Sequence, residues 1–600
     1  MKQFSKYTSA TKTSWHTRLF FIRGVICLFA TVLIIRLFML QIVGYADYKA
    51  AADGEHTFYK KLFPKRGEMF IRGYKRDGAL DPFLVERNGE KVFPAVTNHE
   101  FTLIYADPRH IEDSIKAAEI IAPLLELDVE VLKEKFQKKG DAYEVVKNKV
   151  ADELAQKVRD LSIKGIYFAP QERRYYPEPG LGGHMFGYVS ASGDTQRGRY
   201  GLEGYFDEIL RGKEGSLKLE TDAIGTLIPV GDKRVTEAVD GSDLILTIDR
   251  TVQLVACDKL KKWVIQHGAD GGSIIIQDPQ TGAIRALCAT PDFDPAQYGK
   301  SDIGTFNNPA IFSPYEPGSV FKAFTMAIGL ELEKVTPTMT YIDTGSVKIG
   351  SYTIKNSDGK AHGLQTMMGV LDESLNTGTI FVARRVGIEQ FRKYLKSFGF
   401  GSKTGIDLDT ETSGTISSLD QKNSDIYVAT ASFGQGITVT PMQLVTAYGA
   451  LANGGKLMKP YIVDQVIKSD GTIIKTKPNM VRQVISARTS DLIGGMLVNV
   501  VRKGHGKRAG VPGYFVAGKT GTAQVPRKDK KGYEQNATIG SFAGYAPVEQ
   551  PAFVMLVRID NPRDVQWAES SAAPLFGEMA RFLLQYYEVP PDEKYPKNPS

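Results

Sequence analysis

The longest apolar run in the chain spans residues 19 to 43, LFFIRGVICLFATVLIIRLFMLQIV, with Arg23 and Arg36 toward its two ends. As a helix rising 1.5 Å per residue it would reach about 37 Å, enough to cross a bilayer with tilt. Both arginines can snorkel to headgroups, leaving Gly24 to Ile35 uncharged. Beyond it the pattern shortens. Residues 111 to 136 read as amphipathic helix and Phe101 to Tyr105 as strand, with turns at Pro177 to Gly180 and Gly182-Gly183. At Gly241 the texture changes again. Leu244 to Ile248 and Gly272 to Gln277 read as strands around a helix from Thr251 to His267, and Ile539 to Tyr545 and Ala552 to Ile559 are further strands. Strands and helices alternate to about residue 587, an α+β or α/β pattern. The expected division is a tail at 1–18, a transmembrane helix at 19–43, a mixed scaffold at 44–240, a second domain at 241–588 and a disordered tail at 589–600. No internal repeat is found.

Charge orients the apolar run. Lys2, Lys6, Lys12, Arg18, Arg23 and Arg36 all lie before residue 44, where no acid occurs, and the first acid is Asp47. This asymmetry predicts a cytoplasmic N-terminus, with everything after residue 44 outside. A cleaved signal peptide is the rival reading, but its apolar core would be shorter, and Ala50-Ala51-Ala52 is a weak cleavage signal. From residue 44 on, 69 basic residues face 68 acidic ones. A body so nearly neutral gives no bulk electrostatic case for nucleic acid. Cys27, Cys257 and Cys288 lack CxxC spacing and histidines in ligand rhythm, so no zinc site is expected. The last two are read as buried free thiols, with a Cys257 to Cys288 bridge left open.

The sharpest chemical signal is Pro317-Gly318-Ser319-Val320-Phe321-Lys322, followed by a helix-compatible run. The Pro-Gly pair breaks the chain before Ser319, so Ser319 should open a helix with Lys322 on the same face. A serine hydroxyl is a poor nucleophile at neutral pH, and a lysine lowered in pKa by burial can take its proton. Chance alone supplies roughly three Ser-x-x-Lys matches in a chain this long, and three occur, the others at Ser9 and Ser357. The first lies in the tail before the apolar run, and Ser357-Asp358-Gly359-Lys360 is a turn sequence. Companions therefore decide the matter. Ser374-Leu375-Asn376 lies between helix-like segments 366–373 and 379–385, where a loop can present a hydroxyl and an amide. Lys519-Thr520-Gly521-Thr522 sits in a strand pattern, where a lysine and hydroxyls on an edge can bind a carboxylate and a glycine lets substrate lie against the backbone. A second triplet, Lys403-Thr404-Gly405, follows a turn-rich segment and is read as structural.

Ser-x-x-Lys, Ser-x-Asn and Lys-Thr-Gly in this order resemble the three motifs of the penicillin-binding protein and serine β-lactamase superfamily. Tyr200-Gly201-Leu202-Glu203, Gly241 to Asp249, and Gln435-Gly436 with Thr440 to Gln443 make roughly residues 60–590 similar to class B penicillin-binding proteins, single-pass peptidoglycan transpeptidases. At Arg66 to Arg72 the chain departs from the usual pattern, with Ile71 where an Asp is expected. The local ion pairs are therefore not carried over.

The resemblance implies an α+β fold: a transmembrane helix, an elongated pedestal or dimerisation-like domain, and a transpeptidase domain with an antiparallel sheet and helices. It implies that Ser319 attacks a stem peptide ending in D-Ala-D-Ala after Lys322 takes its proton. Ser374 would relay a proton to the leaving amine, assisted by Lys519. Asn376 would hold the peptide amide, Thr520 and Thr522 the terminal carboxylate with Gly521 giving access, and the backbone N–H groups of Ser319 and Thr522 the oxyanion. No cofactor or metal is implied. The expected partners are stem peptides, β-lactam antibiotics, the membrane, a separate glycan polymerase, and division or elongation proteins, the C-terminal segments resembling more the division branch. The rivals are a carboxypeptidase, a serine β-lactamase, a bifunctional enzyme and a non-catalytic β-lactam receptor. A scaffold of about 200 residues exceeds what a compact lactamase needs, and no glycosyltransferase motifs are seen in it.

Overall fold

The computed structural model describes residues 12–45, 57–73, 84–192, 195–220, 233–421, 424–527 and 532–592. The expected cleavage signal at 50–52, the start of the N-terminal tail at 1–11 and the end of the C-terminal tail at 593–600 lie outside them. The chain divides into two units, one formed by residues up to Lys65 with Lys213–Asp240, the other by Arg66–Gly212 with Gly241 onward.

The smaller unit contains the helix Lys12–Phe38, prolonged by a π turn at Met39–Val43. Its apolar stretch Arg18–Val43 contains no buried residue, so its side chains are available to lipid. The same unit holds an antiparallel sheet of Thr57–Leu62, Gly215–Glu220 and Lys233–Thr236, in that order.

In the larger unit, strands Val463–Ile467, Asp243–Asp249, Met69–Arg72 and Glu90–Ala106 are neighbours in one mixed sheet, with Asp243–Asp249 and Met69–Arg72 parallel. The 17-residue strand Glu90–Ala106 runs on past these neighbours and pairs in its second half with Glu144–Val150 and Ile166–Tyr175. The stretch expected as one helix over 111–136 is two, Ser114–Leu124 and Val129–Phe136, each capped by an aspartate side chain, Asp113 and Asp128. They cover the second half of the long strand with a core that includes Ile104, Ile121, Phe136 and Val158.

Ile71 is a buried core residue, so no acid is needed there. The ion pairs next to it are those of Arg72, with Glu90 at 2.5 Å and Asp464 at 2.7 Å, while at the start of the segment Arg66 donates to Glu203 at 2.5 Å and to Asp207 at 2.8 Å, and Arg174 donates to Glu203 at 2.6 Å. Burial alone would push the Glu203 carboxyl up, but Arg174 and Arg66 hold it below the ordinary carboxylate range. Glu203→Gln removes the charge that both guanidiniums face. Unfolding should then come earlier, by about 3–5 kcal/mol as for other broken buried pairs. An unshifted denaturation midpoint would contradict this account of the node.

The second sheet is fully antiparallel, in the order Ile284–Thr290, Gly271–Gln277, Phe553–Asp560, Tyr533–Ala546, Ala517–Pro526. Both faces are covered, so successive residues alternate between two cores: Ile274 and Ile276 face one, Ile275 the other. On the first side lie the helices Arg250–Gln266 and Ala572–Tyr586. On the second lies Pro441–Ala452, buried along its whole length and started by a capping box between Thr440 and Gln443. The reading of Cys257 and Cys288 as free thiols is corrected here. They form a disulfide, because the helix Arg250–Gln266 packs along Ile284–Thr290 and brings the two Cα atoms to 5.3 Å.

Candidate active site

Three backbone segments meet where the motifs converge. Gly318 has φ +61° and opens a 3-10 turn, Gly318–Phe321, that runs directly into the helix Lys322–Glu331. The turn lies against the outer edge of Ala517–Pro526 and against the loop at Gly434. A Cβ on Gly318 would lie 2.9 Å from Thr522 O, one on Gly521 would lie 2.8 Å from Pro317 O, and one on Gly434 would overlap the Gly318 carbonyl. Only glycine allows these approaches. Gly318 N also donates to Gly434 O at 3.0 Å. Further bonds pin the turn: Tyr448 OH donates to Val320 O at 2.7 Å, and Glu316 accepts from Gly436 N at 2.9 Å and from Tyr533 OH at 3.0 Å.

Ser319 is partly exposed between the buried Gly318 and Val320. Lys322, one helical turn on, is fully buried. Its Nζ donates to the Ser374 carbonyl and to Ser374 Oγ, the latter at 3.2 Å, rather than to Ser319 Oγ. Burial, and then the like charge of Lys519, pushes the Lys322 amine well below the ordinary lysine range. The neutral form of this amine is thereby favoured beside the Ser374 hydroxyl.

Ser374 has φ +55° and follows the helix Met367–Asp372. The expected loop is shorter than its pattern suggested, because Asn376 is already the first residue of the helix Asn376–Val386. Its side-chain amide donates to Lys355 O at 2.9 Å.

Lys519 lies on the edge strand, paired with Ala543, and is fully buried. Its Nζ donates to Thr520 O at 3.3 Å and to Thr520 Oγ1 at 3.2 Å. Burial draws it down to about 8, against the opposing pull of Glu569 and Asp372. Thr522 Oγ1 accepts from Ala568 N at 3.1 Å, which keeps its own O–H available to donate. Thus Ser319, Lys322, Ser374, Lys519, Thr520, Gly521 and Thr522 belong to one continuous constellation, with Asn376 at its margin.

Sequence reasoning missed the carboxylates. Burial lifts Asp372 to about 6, although Asn499 donates to its Oδ2 at 2.5 Å. Glu569 accepts from His505 Nδ1 at 2.6 Å, and this bond holds its carboxyl below the usual range. Both act on Lys519 from segments distant in sequence, and neither carries a local motif. The second triplet has no strand around it. Thr404 N and Oγ1 donate to Glu411 Oε1 at 2.6 and 2.5 Å, and Gly405 N donates to Glu411 Oε2 at 3.1 Å. It is a cradle for an internal carboxylate.

This constellation sits inside a stretch, residues 272–581, that matches the penicillin binding protein transpeptidase domain. The chain belongs to the penicillin-binding protein transpeptidase family. Residues 84–246 of this penicillin-binding protein match the penicillin-binding protein dimerisation domain as well, which bears out the class B resemblance and the pedestal fold. It is 36% identical to stage V sporulation protein D of Bacillus subtilis, over 85% of this chain and 78% of that protein. With a peptidoglycan D,D-transpeptidase FtsI homolog of Mesostigma viride it shares 28% identity over 94% of each chain. Among solved structures, penicillin-binding protein 3 of Mycobacterium tuberculosis complexed with aztreonam superposes with a TM-score of 0.66 at 26% identity, covering 89% of this chain and 98% of that one.

Proposed function

We propose that the protein is a peptidoglycan D,D-transpeptidase that uses Ser319 as its nucleophile. The observation that carries this reading is a partly exposed serine one helical turn before a fully buried lysine, whose neutral form burial favours. Neutral Lys322 takes the Ser319 proton as Oγ attacks the carbonyl between two D-Ala residues, and the backbone N–H groups of Ser319 and Thr522 receive the oxyanion. The proton then passes through Ser374 Oγ to the leaving amine as the C–N bond breaks, and terminal D-Ala departs. Lys519 and the hydroxyls of Thr520 and Thr522 hold the terminal carboxylate, and Asn376 the peptide amide. A neighbouring stem-peptide amine attacks the acyl-enzyme, gives its proton back along the same route and restores Ser319. β-lactams enter by the same first step, in line with the aztreonam and ampicillin complexes of the mycobacterial relative.

We read residues 19–43 as a membrane anchor with the N-terminus in the cytoplasm, 44–240 as the pedestal and 241–588 as the catalytic domain. The Cys257–Cys288 bridge supports catalysis outside the cytoplasm, where disulfides persist. The absence of glycosyltransferase motifs between 44 and 240 supports work beside a separate glycan polymerase, and the resemblance of the segments Ala572–Phe576 and Val589–Asp592 to the division branch supports a division-type role.

The reaction requires that an amine be held in line against abundant water, since positioning substitutes for a very large effective concentration. The test supplies the full-length enzyme with a lipid-linked disaccharide-pentapeptide and a polymerase, then separates the muropeptides. Crosslinked dimers are expected, and they should vanish with Ser319→Ala. Shortened monomers alone, with every polymerase tried, would make the protein a carboxypeptidase.

A further inference from the structure

Apart from the Ser319 constellation, the catalytic domain contains a cavity of about 550 Å3 around the second Lys-Thr-Gly triplet. Phe400, Ile416 and Leu457 give it buried apolar walls. Its rim carries three cations, Lys396, Lys403 and Arg482, all exposed. The one acid lining it, Asp420, is already bonded to Arg392 at 2.9 Å, with Lys396 at 4.0 Å. Among the described residues Lys403 and Arg482 form no ion pair, so the rim has an excess of positive charge. Of the other lining side chains, Gln443 is fully used, donating to Ser402 O at 2.6 Å and Ser413 O at 2.5 Å and accepting from Thr440 N at 2.9 Å.

An occupant that satisfies both features has an anionic head for the rim and an apolar body for the walls. We propose that this cavity binds a small carboxylate with an apolar body, and that its occupancy is felt at Ser319. The link is an aromatic layer. The Phe400 ring lies 4.9 Å from Phe321 and 5.1 Å from Phe324, and Phe398 lies 5.1 Å from Phe324. Phe321 belongs to the turn that carries Ser319, and Phe324 to the helix that carries Lys322. The helix that supplies Thr446 and Gln443 to the cavity also holds the Ser319 turn through Tyr448. Close-packed layers of this kind pass on displacement rather than absorb it.

The test uses full-length protein in detergent with 4-fluorophenylacetate as probe, followed by fluorine NMR, and 4-fluorophenylacetamide as the neutral control. Saturable binding near about 1 mM is expected, in keeping with so small a ligand. The amide should bind about tenfold more weakly, and the Lys403→Glu, Arg482→Glu double variant should weaken the carboxylate by a similar factor. Far-UV dichroism and the melting transition establish that the variant is folded. Equal binding of acid and amide, or binding indifferent to the charge reversal, would overturn the site. The second measurement is the rate at which fluorescent penicillin labels the protein. Saturating probe should change it by about fivefold or more in the unaltered protein and not in the double variant. Binding without such a change would overturn the link to Ser319.

Discussion

Ser319→Ala is expected to abolish covalent labelling by penicillin while leaving the fold untouched. The side chain is partly exposed, and among the described residues its hydroxyl makes no hydrogen bond, so its loss deletes one oxygen and breaks nothing structural. The neighbouring backbone is fixed independently, by Gly434 and Tyr448. What disappears is the atom that would bond to the acyl group. Removing a nucleophile of this type costs about 10⁴-fold or more, because the remaining groups can only polarise the carbonyl for water. Ser357→Ala supplies the control: Ser357 occupies an exposed turn, and its variant should label at the parent rate. Gel fluorescence of the membrane fraction after incubation with fluorescent penicillin reads both. Retained label in Ser319→Ala would move the nucleophile elsewhere and dissolve the proposed mechanism.

Lys519→Ala should slow acylation by about 10²–10³-fold, the scale of losing one well-placed charge-stabilising donor, whereas Lys403→Ala should change it by less than about twofold, as exposed charges do. The first lysine is buried on the strand whose edge meets the Ser319 turn. The second is exposed, and its triplet is occupied with Glu411. The same contrast has a pH signature. With its pKa near 8, Lys519 carries its charge below that pH and sheds it above, so acylation by an anionic donor should fall as pH rises through about 8. Lys322 works in the opposite sense, since only the neutral amine accepts a proton, and the rate should fall as pH drops through its depressed pKa. In Lys519→Ala the like charge that depresses Lys322 is gone. The acid limb should therefore move to higher pH, while the limb near 8 disappears. Stopped-flow acylation across pH separates these outcomes, and a Lys403→Ala defect larger than that of Lys519→Ala would reverse the assignment of the two triplets.

Much of this arrangement is legible in local pattern. The helix read at 251–267 is Arg250–Gln266, and the strands read at 244–248, 272–277 and 552–559 fall within a residue or two of their observed ends. Each is bounded by a glycine, a proline or an aspartate cap, which act over a few residues. What escapes is pairing at a distance. Nothing in Met69–Arg72 announces that it runs parallel to Asp243–Asp249, and nothing in Glu90–Ala106 announces that one strand serves two sheet segments. The same reason hides the disulfide and the acids around Lys519. Cys257 and Cys288 lie 31 residues apart, and Asp372 and Glu569 stand on opposite sides of Lys519 in sequence. The break at 125–128 that splits the helix read over 111–136 was visible in Asp128, but the apolar periodicity carries across it and masks the cap. At the site, order and spacing indicate the motifs, while their chemistry depends on burial, which only packing supplies.

The glycines at 318, 434 and 521 also bear on how antibiotic resistance could arise in such a protein. Where main chain meets main chain there is no side chain to exchange, and any added carbon would displace the turn that carries Ser319 along with the drug it was meant to exclude. Inherited change that spares the natural reaction must therefore enter from positions bordering the seam, such as the packed residues beneath the turn. There, small shifts can slow attack on a rigid lactam more than attack on a pliant peptide. Selection by antibiotic would accordingly leave the three motifs intact and accumulate around them.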